Sequence, residues 1–198
     1  KVLLWNTADW SPAGEISDLP GRVSAMVFTS SNTALATASN APGQAGEVAL
    51  WVVDGLAKRR AWQAHNGTIF DMAIAPDGQT LATAGADKLV RFWSLATGEQ
   101  MMQIEAHTSP VLSLAYKPDG ALLASGGADK ELKIWDTKTR EQKNLVTGHP
   151  GNVAAIAWPE KKAELITASD DGALRLCNET SKSPGKTWSK AGDLLHCL

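Results

Sequence analysis

The sequence predicts an all-β fold in which one small antiparallel sheet is repeated along the chain, and three observations support this prediction. Short apolar runs of strand-forming residues alternate with turn residues through most of the 198 positions. The same residue types recur at intervals of 42 positions. Each interval holds four such runs with short links, which is typical of a four-stranded antiparallel sheet. Because so small a sheet needs neighbours to cover its faces, we expect the units to stack.

The unit that starts at His107 shows the pattern most clearly. Its four apolar runs are residues 111–116, 122–125, 132–135 and 145–146. Residues 118–120, 126–129 and 136–139 separate these runs and are rich in Pro, Gly, Asp and Thr. Such residues favour turns, since proline presets a turn dihedral and glycine accepts a positive φ. The unit therefore reads as four strands joined by tight antiparallel links.

Five columns of residues keep the 42-residue interval in phase, which chance does not produce. The columns are His65, His107 and His149; Thr83, Ser125 and Thr167; Asp87, Asp129 and Asp171; Trp51, Trp93, Trp135 and then Cys177; and Trp62, Ile104, Val146 and Trp188. The unit ahead of them is 46 residues long, because a loop near residues 41–44 is lengthened. A period of about 40–45 residues with four strands per unit indicates the blades of a β-propeller.

The chain resembles the WD40-repeat proteins through motifs that recur along nearly its whole length. These motifs are Gly148-His149, Trp135-Asp136, Ala86-Asp87, Ala128-Asp129, Pro76-Asp77-Gly78 and Pro118-Asp119-Gly120. The resemblance implies a WD40-type β-propeller with four complete four-stranded antiparallel blades and two partial blades. Since WD40 propellers usually close as rings, most often of seven blades, we expect this segment to be part of a larger ring.

Taken in order, the chain is expected to begin inside a blade. Residues 1–20 are predicted to be a partial blade one, with its third strand at 2–5 and its fourth at 15–18. The complete blades two to five are predicted at residues 21–63, 64–105, 106–147 and 148–190, and residues 191–198 begin a sixth. An open arc of this kind exposes strand edges and apolar faces, so further blades or another chain are expected to cover them.

Blade two departs from the repeated pattern. Leu19 stands in its histidine column, and the loop at residues 41–47 replaces the turn that carries the aspartate. Thr37 and Trp51 remain, so we expect packing to hold this blade. The loop resembles loops in WD40 segments of large bacterial proteins, some of which are joined to c-type cytochrome modules.

The resemblance assigns the histidine, hydroxyl, aspartate and tryptophan columns to one hydrogen-bonded network in each blade. The expected members are His65, Thr83, Asp87 and Trp93; His107, Ser125, Asp129 and Trp135; and His149, Thr167 and Asp171, where Cys177 replaces tryptophan. A Ser-His-Asp set also suggests a hydrolase. However, the set repeats in successive blades, threonine replaces serine freely, and no GxSxG motif occurs. We therefore predict no catalytic residue and interpret these columns as a structural hydrogen-bonded network.

Composition excludes several other classes of function. A net charge of −2 leaves no basic stripe for nucleic acid, and no apolar run reaches the roughly 18 residues that span a bilayer. Three of the four histidines lie on separate blades, so neither a metal nor another cofactor is predicted. Cys177 is predicted to be a buried apolar residue in the tryptophan column. A disulfide between Cys177 and Cys197 has no support in the sequence. The compartment is left open, with the cytoplasm as the default and the bacterial periplasm as the alternative.

The function that the resemblance implies is a non-catalytic scaffold that binds a protein or peptide through one rim of the propeller. In the family, the loops before the first strand and those between the second and third strands share this rim. The predicted rim residues are Asn66, Thr68, Lys88, Thr108, Lys130, Asn152 and Asp170. The alternative is an accessory module of a larger enzyme or redox protein, whose chemistry would lie outside this chain.

Overall fold

The computed structural model describes residues 1–160 and 164–190, and within these ranges the chain is almost entirely β-structure. The strands are β1 Val2–Trp5, β2 Pro12–Ile16, β3 Arg22–Phe28, β4 Ala34–Asn40, β5 Gly46–Val52, β6 Lys58–His65, β7 Ile69–Ile74, β8 Thr80–Gly85, β9 Leu89–Ser94, β10 Gln100–Glu105, β11 Val111–Tyr116, β12 Leu122–Gly127, β13 Leu132–Asp136, β14 Gln142–Val146, β15 Val153–Ala157, β16 Glu164–Ser169, β17 Ala173–Asn178 and β18 Thr187–Lys190. A short 3₁₀ helix, Asp54–Leu56, joins β5 to β6. No helix within the described ranges has the length and apolar character to cross a bilayer.

The strands form four antiparallel sheets of four strands and one of two strands. Blade two is β3–β6, blade three is β7–β10, blade four is β11–β14 and blade five is β15–β18, while β1 and β2 pair alone as blade one. In every four-stranded sheet the strands neighbour one another in chain order. The predicted all-β fold of four-stranded antiparallel sheets is therefore confirmed. The predicted start of a sixth blade at 191–198 lies outside the described residues.

The strand register turns the 42-residue period into a structural equivalence. Trp93 of β9 lies opposite Leu81 of β8, and Trp135 of β13 lies opposite Leu123 of β12 in the same way. In blade five, Cys177 takes this position opposite Leu165. Residues one period apart therefore occupy matching places on successive sheets.

The core lies between consecutive sheets. Between blades three and four, Ala82 and Ala84 of β8 pack with Phe92 of β9 against Leu123 and Trp135 of blade four. Because the alanine side chains are small, the larger residues of blade four can pack closely against this face of blade three. Strands β3, β7, β11 and β15 contact one another in sequence, so they form the inner side of the stack.

Blade two exposes a face that its neighbours bury. Met26 on β3 is 54% exposed, whereas Met72, at the same place on β7, is 5% exposed. Phe28 on β3 is also exposed, while Trp158 in its column on β15 is buried. In the part of the chain that the structure describes, blade one contributes two strands only, and these pack against Leu35 and Trp51 instead.

Candidate functional site

Blade three contains a buried chain of hydrogen bonds that runs through four side chains. The Trp93 indole Nε1–H donates to Thr83 Oγ1 at 2.9 Å, and His65 Nε2 lies 2.7 Å from the same oxygen. His65 Nδ1 lies 2.7 Å from Asp87 Oδ1. A neutral imidazole with its proton on Nδ1 gives every group a partner, because the Thr83 hydroxyl then donates to Nε2. The described contacts thus join all four predicted members in this blade.

Blade four repeats this arrangement with serine in place of threonine. Trp135 Nε1–H donates to Ser125 Oγ at 2.9 Å, and His107 Nε2 lies 2.8 Å from that oxygen. His107 Nδ1 lies 2.9 and 3.0 Å from the two carboxylate oxygens of Asp129. Burial lowers the pKa of His107 despite the nearby Asp129 charge. The imidazole is therefore held in its neutral form at physiological pH.

Two backbone features allow the carboxylate and the imidazole to meet. A Cβ added at Gly85 or Gly127 would collide with the imidazole Nδ1 of its own blade, so only glycine leaves room for the bond. The residue after each histidine also donates its backbone N–H to the aspartate, from Asn66 to Asp87 at 3.3 Å and from Thr108 to Asp129 at 3.0 Å. The aspartate is thus aimed by the backbone as well as by the histidine.

Blade five departs from the predicted network at Asp171. His149 Nε2 lies 3.2 Å from Thr167 Oγ1, but His149 Nδ1 is buried without a close hydrogen-bond partner among the described residues. The backbone carbonyl of Lys130 lies near enough to the ring to favour its protonated form, but it does not outweigh burial. Asp171 instead accepts two hydrogen bonds from the Arg175 guanidinium, one of them at 2.9 Å to Nη1. The structure therefore places Asp171 in an ion pair with Arg175 and not in the histidine network.

The electrostatics of blade five follow from this exchange. Arg175 holds the pKa of Asp171 at about 2, because the ion pair stabilises the carboxylate. Burial first, and then the positive charge of Arg175, lower the pKa of His149 to about 4. Burial likewise raises the pKa of the Cys177 thiol, which occupies the tryptophan column as a buried residue. Cys197 lies outside the described residues.

Blade two retains only the hydrogen bond between the tryptophan and the hydroxyl group. The Trp51 indole N–H donates to Thr37 Oγ1 at 3.0 Å, as its counterparts do in blades three and four. Leu19, in the histidine column, packs against the apolar cluster that contains Trp51. An apolar residue thus replaces the histidine in this blade.

The three hydroxyl groups of the network are not placed for nucleophilic catalysis. No part of these three residues is exposed to solvent, namely Thr83, Ser125 and Thr167. A nucleophile must reach its substrate within hydrogen-bond distance of a base, and no path leads to a side chain with no exposed surface. The geometry supports a structural role for these groups.

One group in blade four has donor atoms close enough to bind a metal ion. Ligand atoms of His107, Asp129 and Glu131 lie within 4.8 Å of one another. Both ring nitrogens of His107 already have protein partners, and Lys133 pairs with Glu131 at 3.3 Å. The donors are therefore engaged by the protein itself, and the cluster fits the hydrogen-bonded network described above.

A partly buried carboxylate joins blade three to blade four. Asp71 on β7 accepts backbone hydrogen bonds from Met72 and from Leu114 of β11, both at 2.7 Å. Burial raises the pKa of Asp71 to about 6, although both hydrogen bonds favour the charged form. Periodicity could not reveal this residue, because its column contains Ala25, Ser113 and Ala155 in the other blades.

A cavity of about 1540 Å³ opens at one end of the inner strands. Each of these strands has a register shift that leaves one residue without a partner on the second strand. The bulged residues are Ser24, Phe70, Leu112 and Ala154, and all four line the cavity. Because a β-bulge re-aims a side chain, the same irregularity in blades two to five directs one residue of each into this space.

The predicted rim residues fall into two groups. Asn66 and Thr68 line the cavity, where they lie with Asn40 and the loop at residues 41–45. Five others lie outside the cavity lining: Lys88, Thr108, Lys130, Asn152 and Asp170. Lys88 and Lys130 occupy tight turns with φ of 72° and 67°, and the Asn152 backbone N–H donates to Asp170 at 2.7 Å.

The apolar part of the cavity, which Phe70 and Leu112 supply, was not predicted from the sequence. These two residues and Ala154 are 42 positions apart, so the repeat itself contained the signal. Strand alternation alone would have assigned them to a sheet face, because a bulge cannot be recognised from alternation.

The fold and these networks define a class of protein: a propeller segment whose polar networks brace its blades and whose inner strands frame a cavity. Three stretches match the family described as WD domain, G-beta repeat, at residues 57–94, 98–136 and 140–178, which together cover more than half of the chain. The chain belongs to this WD40 family. Each match runs from the outer strand of one blade to the third strand of the next, so one sequence repeat links two blades.

Curated relatives resemble shorter stretches of the chain. A 50-residue stretch, 25% of this chain, is 36% identical to 11% of DDB1- and CUL4-associated factor 13 of Dictyostelium discoideum. A 68-residue stretch, 34% of this chain, is 41% identical to 15% of the guanine nucleotide-exchange factor SEC12 of Rattus norvegicus. A 40-residue stretch, 20% of this chain, is 40% identical to 6% of the Denticleless protein homolog of Danio rerio. The aligned part of each relative is thus a small share of its length.

Proposed function

We propose that the chain is a non-catalytic scaffold that binds a protein or peptide segment at the rim of the cavity. The observation that carries this proposal is the cavity of about 1540 Å³, which repeated bulges line with one side chain from each of four blades. Such a site offers polar groups from Asn66 and Thr68 beside the apolar ring of Phe70. Rigid strands hold these groups in place, so little ordering entropy is lost when a partner binds.

Family membership and the names of the relatives support a protein partner. WD40 domains generally act as interaction modules, and one relative is named as a factor associated with two other proteins, DDB1 and CUL4. The full burial of Thr83, Ser125 and Thr167 also favours a scaffold over a hydrolase. The rim with its cavity is therefore the surface on which we place partner recognition.

We further propose that additional strands or another chain cover the face of blade two. Met26 and Phe28 are exposed there, whereas the equivalent positions in the following blades lie against the sheet before them. Exposed apolar faces of repeated sheets favour association. A covering blade would restore the contact that the other blades share.

The test is affinity capture with rim variants of the full chain, followed by mass spectrometry. Phe70→Asp and Lys130→Glu change an apolar and a charged position of the proposed surface, and both side chains are exposed. Lys138→Glu is the matched control, because it reverses an exposed lysine in a β13–β14 turn that lies outside the rim. We expect both rim variants to lose partners that the control retains, at unchanged thermal midpoints. Equal recovery by all three variants would refute binding at the rim.

A further inference from the structure

The outermost strands of three blades differ at one equivalent position. Each of β6, β10 and β14 has a register shift against the third strand of its blade, and one residue is left unpaired there. That residue is Arg59 in β6, Met101 in β10 and Lys143 in β14. Charged residues on an edge strand discourage pairing with another strand, and blades two and four have a cation at this bulge. Blade three has a methionine.

The exposed stretch of β10 contains no charge. Gln100, Met101, Met102 and Gln103 are all exposed, with Met101 57% and Met102 42% accessible. The strand order places β10 at the edge of its sheet, and within the described ranges no other strand pairs with its outer side. The backbone groups of this edge and two flexible apolar side chains are thus open to a partner.

Two glutamates bound this stretch. Glu99 precedes β10 and Glu105 ends it, both are exposed, and neither forms a salt bridge within the described part of the chain. At about 3.3 Å per residue they lie roughly 20 Å apart along the strand. Arg91, which donates to Gln103 at 3.2 Å, is already paired with Asp87 at 2.8 Å. The edge therefore offers an apolar centre between two negative ends.

We propose that the outer edge of β10 is a docking site for an extended peptide that has an apolar centre and a basic residue at each end. The peptide would add a fifth strand to blade three, in the manner of β-strand addition, where backbone hydrogen bonds supply affinity and alternate side chains supply selectivity. Its two cations would pair with Glu99 and Glu105. This site is separate from the proposed rim, so each of the two proposals can fail without the other.

A second copy of the chain is the less suitable occupant of this edge. If two β10 strands paired antiparallel about Met102, Glu99 of each copy would lie opposite Glu105 of the other. Like charges placed directly opposite across a strand pair are destabilising. The same glutamates therefore select against self-pairing and in favour of a basic partner.

A peptide array probed with the full chain tests the proposal. The peptides have seven residues, in which Thr alternates with Val, Ile, Leu or Phe, and their two terminal residues are either both Lys or both Glu. We expect the full chain to bind lysine-ended peptides and to leave glutamate-ended peptides unbound. The best peptide is then measured in solution by fluorescence anisotropy. An N-methyl group on alternate amides of its outward edge is expected to abolish binding, because the backbone donors are lost.

Variants of β10 provide the matched comparison. Met101→Lys gives blade three the type of residue that blades two and four have, and it is expected to weaken binding at least about tenfold. Met101→Leu keeps the apolar side chain and is expected to bind as the parent does. The double variant Glu99→Lys, Glu105→Lys is expected to reverse the preference toward glutamate-ended peptides. Thermal midpoints equal to that of the parent establish that each variant is folded.

Several results would overturn the proposal. These are an array without a lysine-ended binder, equal binding of both peptide classes, and full binding by the Met101→Lys variant at an unchanged midpoint. Sedimentation that shows a dimer of the parent, lost in the Met101→Lys variant, would assign the edge to a second copy instead. Loss of binding in Phe70→Asp but not in Met101→Lys would place the peptide at the rim.

Discussion

Blades four and five have the same histidine column and equivalent hydroxyl residues, yet only blade four closes its hydrogen-bonded network. In blade four, His107 contacts Asp129 through Nδ1 and Ser125 through Nε2. In blade five, His149 keeps only the contact with Thr167, and its Nδ1 has no partner among the described residues. The comparison shows that the histidine is not sufficient to form the network.

Two neighbouring residues explain the difference. Ser169 of blade five stands at the register position of Gly127, where a Cβ would collide with the imidazole Nδ1 of blade four. Pro150 follows His149, and proline has no N–H to donate to the aspartate, as Thr108 does in blade four. With both supports missing, the aspartate of blade five turns to Arg175.

Blade five compensates through packing and an ion pair. Trp158 is buried in the same cluster as Cys177, whereas its counterpart in blade four, Tyr116, is only partly buried. The smaller residue on the third strand of blade five is thus accompanied by a larger one on its first strand. The guanidinium of Arg175 satisfies the carboxylate that the histidine does not reach. We infer that blade five depends more on its apolar contacts and less on its polar network than blade four does.

The largest expected effect comes from the tryptophan column. Trp135→Ala removes a buried indole and the donor to Ser125, so the free energy of unfolding is expected to fall by about 3–5 kcal/mol. Cys177→Ala removes one sulfur atom from the equivalent place and is expected to cost about 1 kcal/mol. Urea denaturation followed by tryptophan fluorescence measures both values. Equal costs at these two positions of one column would contradict the burial assigned to Trp135.

A smaller effect is expected in the histidine column. His107→Leu leaves the hydroxyl of Ser125 and the carboxylate of Asp129 without their buried partner, at a cost of roughly 1–3 kcal/mol. His149→Leu removes one hydrogen bond and an unpartnered nitrogen, so it is expected to change stability by less than about 1 kcal/mol. Leucine already stands in this column in blade two, where the partly buried Leu19 packs against the apolar cluster that contains Trp51.

A double-mutant cycle supplies the control for this prediction. Ser125→Ala is expected to cost less in the His107→Leu background than in the parent, since the two residues share a hydrogen bond. The corresponding pair in blade five, Thr167 and His149, is expected to couple more weakly across its 3.2 Å contact. Additive costs in blade four would remove the basis for a shared network.

Most of the fold could be predicted from the sequence because the repeat is nearly exact in length. Five columns in phase determine which residues share a place on successive sheets, and the strand register of Trp93 and Trp135 agrees with them. The networks of blades three and four were predictable for the same reason. Each position in these networks requires a particular side chain, namely His, Ser or Thr, Asp, or Trp. The residue type therefore identifies the position in the sequence.

The parts that could not be predicted depend on neighbours or on backbone irregularities. The aspartate column alone could not show that Asp171 turns away, because the causes lie in Ser169 and Pro150. The cavity lining depends on a bulge at Phe70, which no residue type marks. Asp71 bridges two blades from a column without a repeated residue, so periodicity could not reveal it.

The last expected effect is absent at neutral pH, and it is the pH dependence that His149 adds to stability. Its pKa of about 4 lies below the usual histidine value of about 6.5, so the folded state favours the neutral ring. The contribution of His149 is therefore unchanged above about pH 6.5, and stability falls as the pH decreases toward 4, by about 3 kcal/mol in all. Asp71, with its pKa raised to about 6, acts in the opposite direction over much of the same range. The quantity to measure is therefore the difference between His149→Leu and the parent in urea midpoint at each pH. We expect the variant to gain relative to the parent between pH 6.5 and 4, and a constant difference would contradict the buried, unpartnered imidazole.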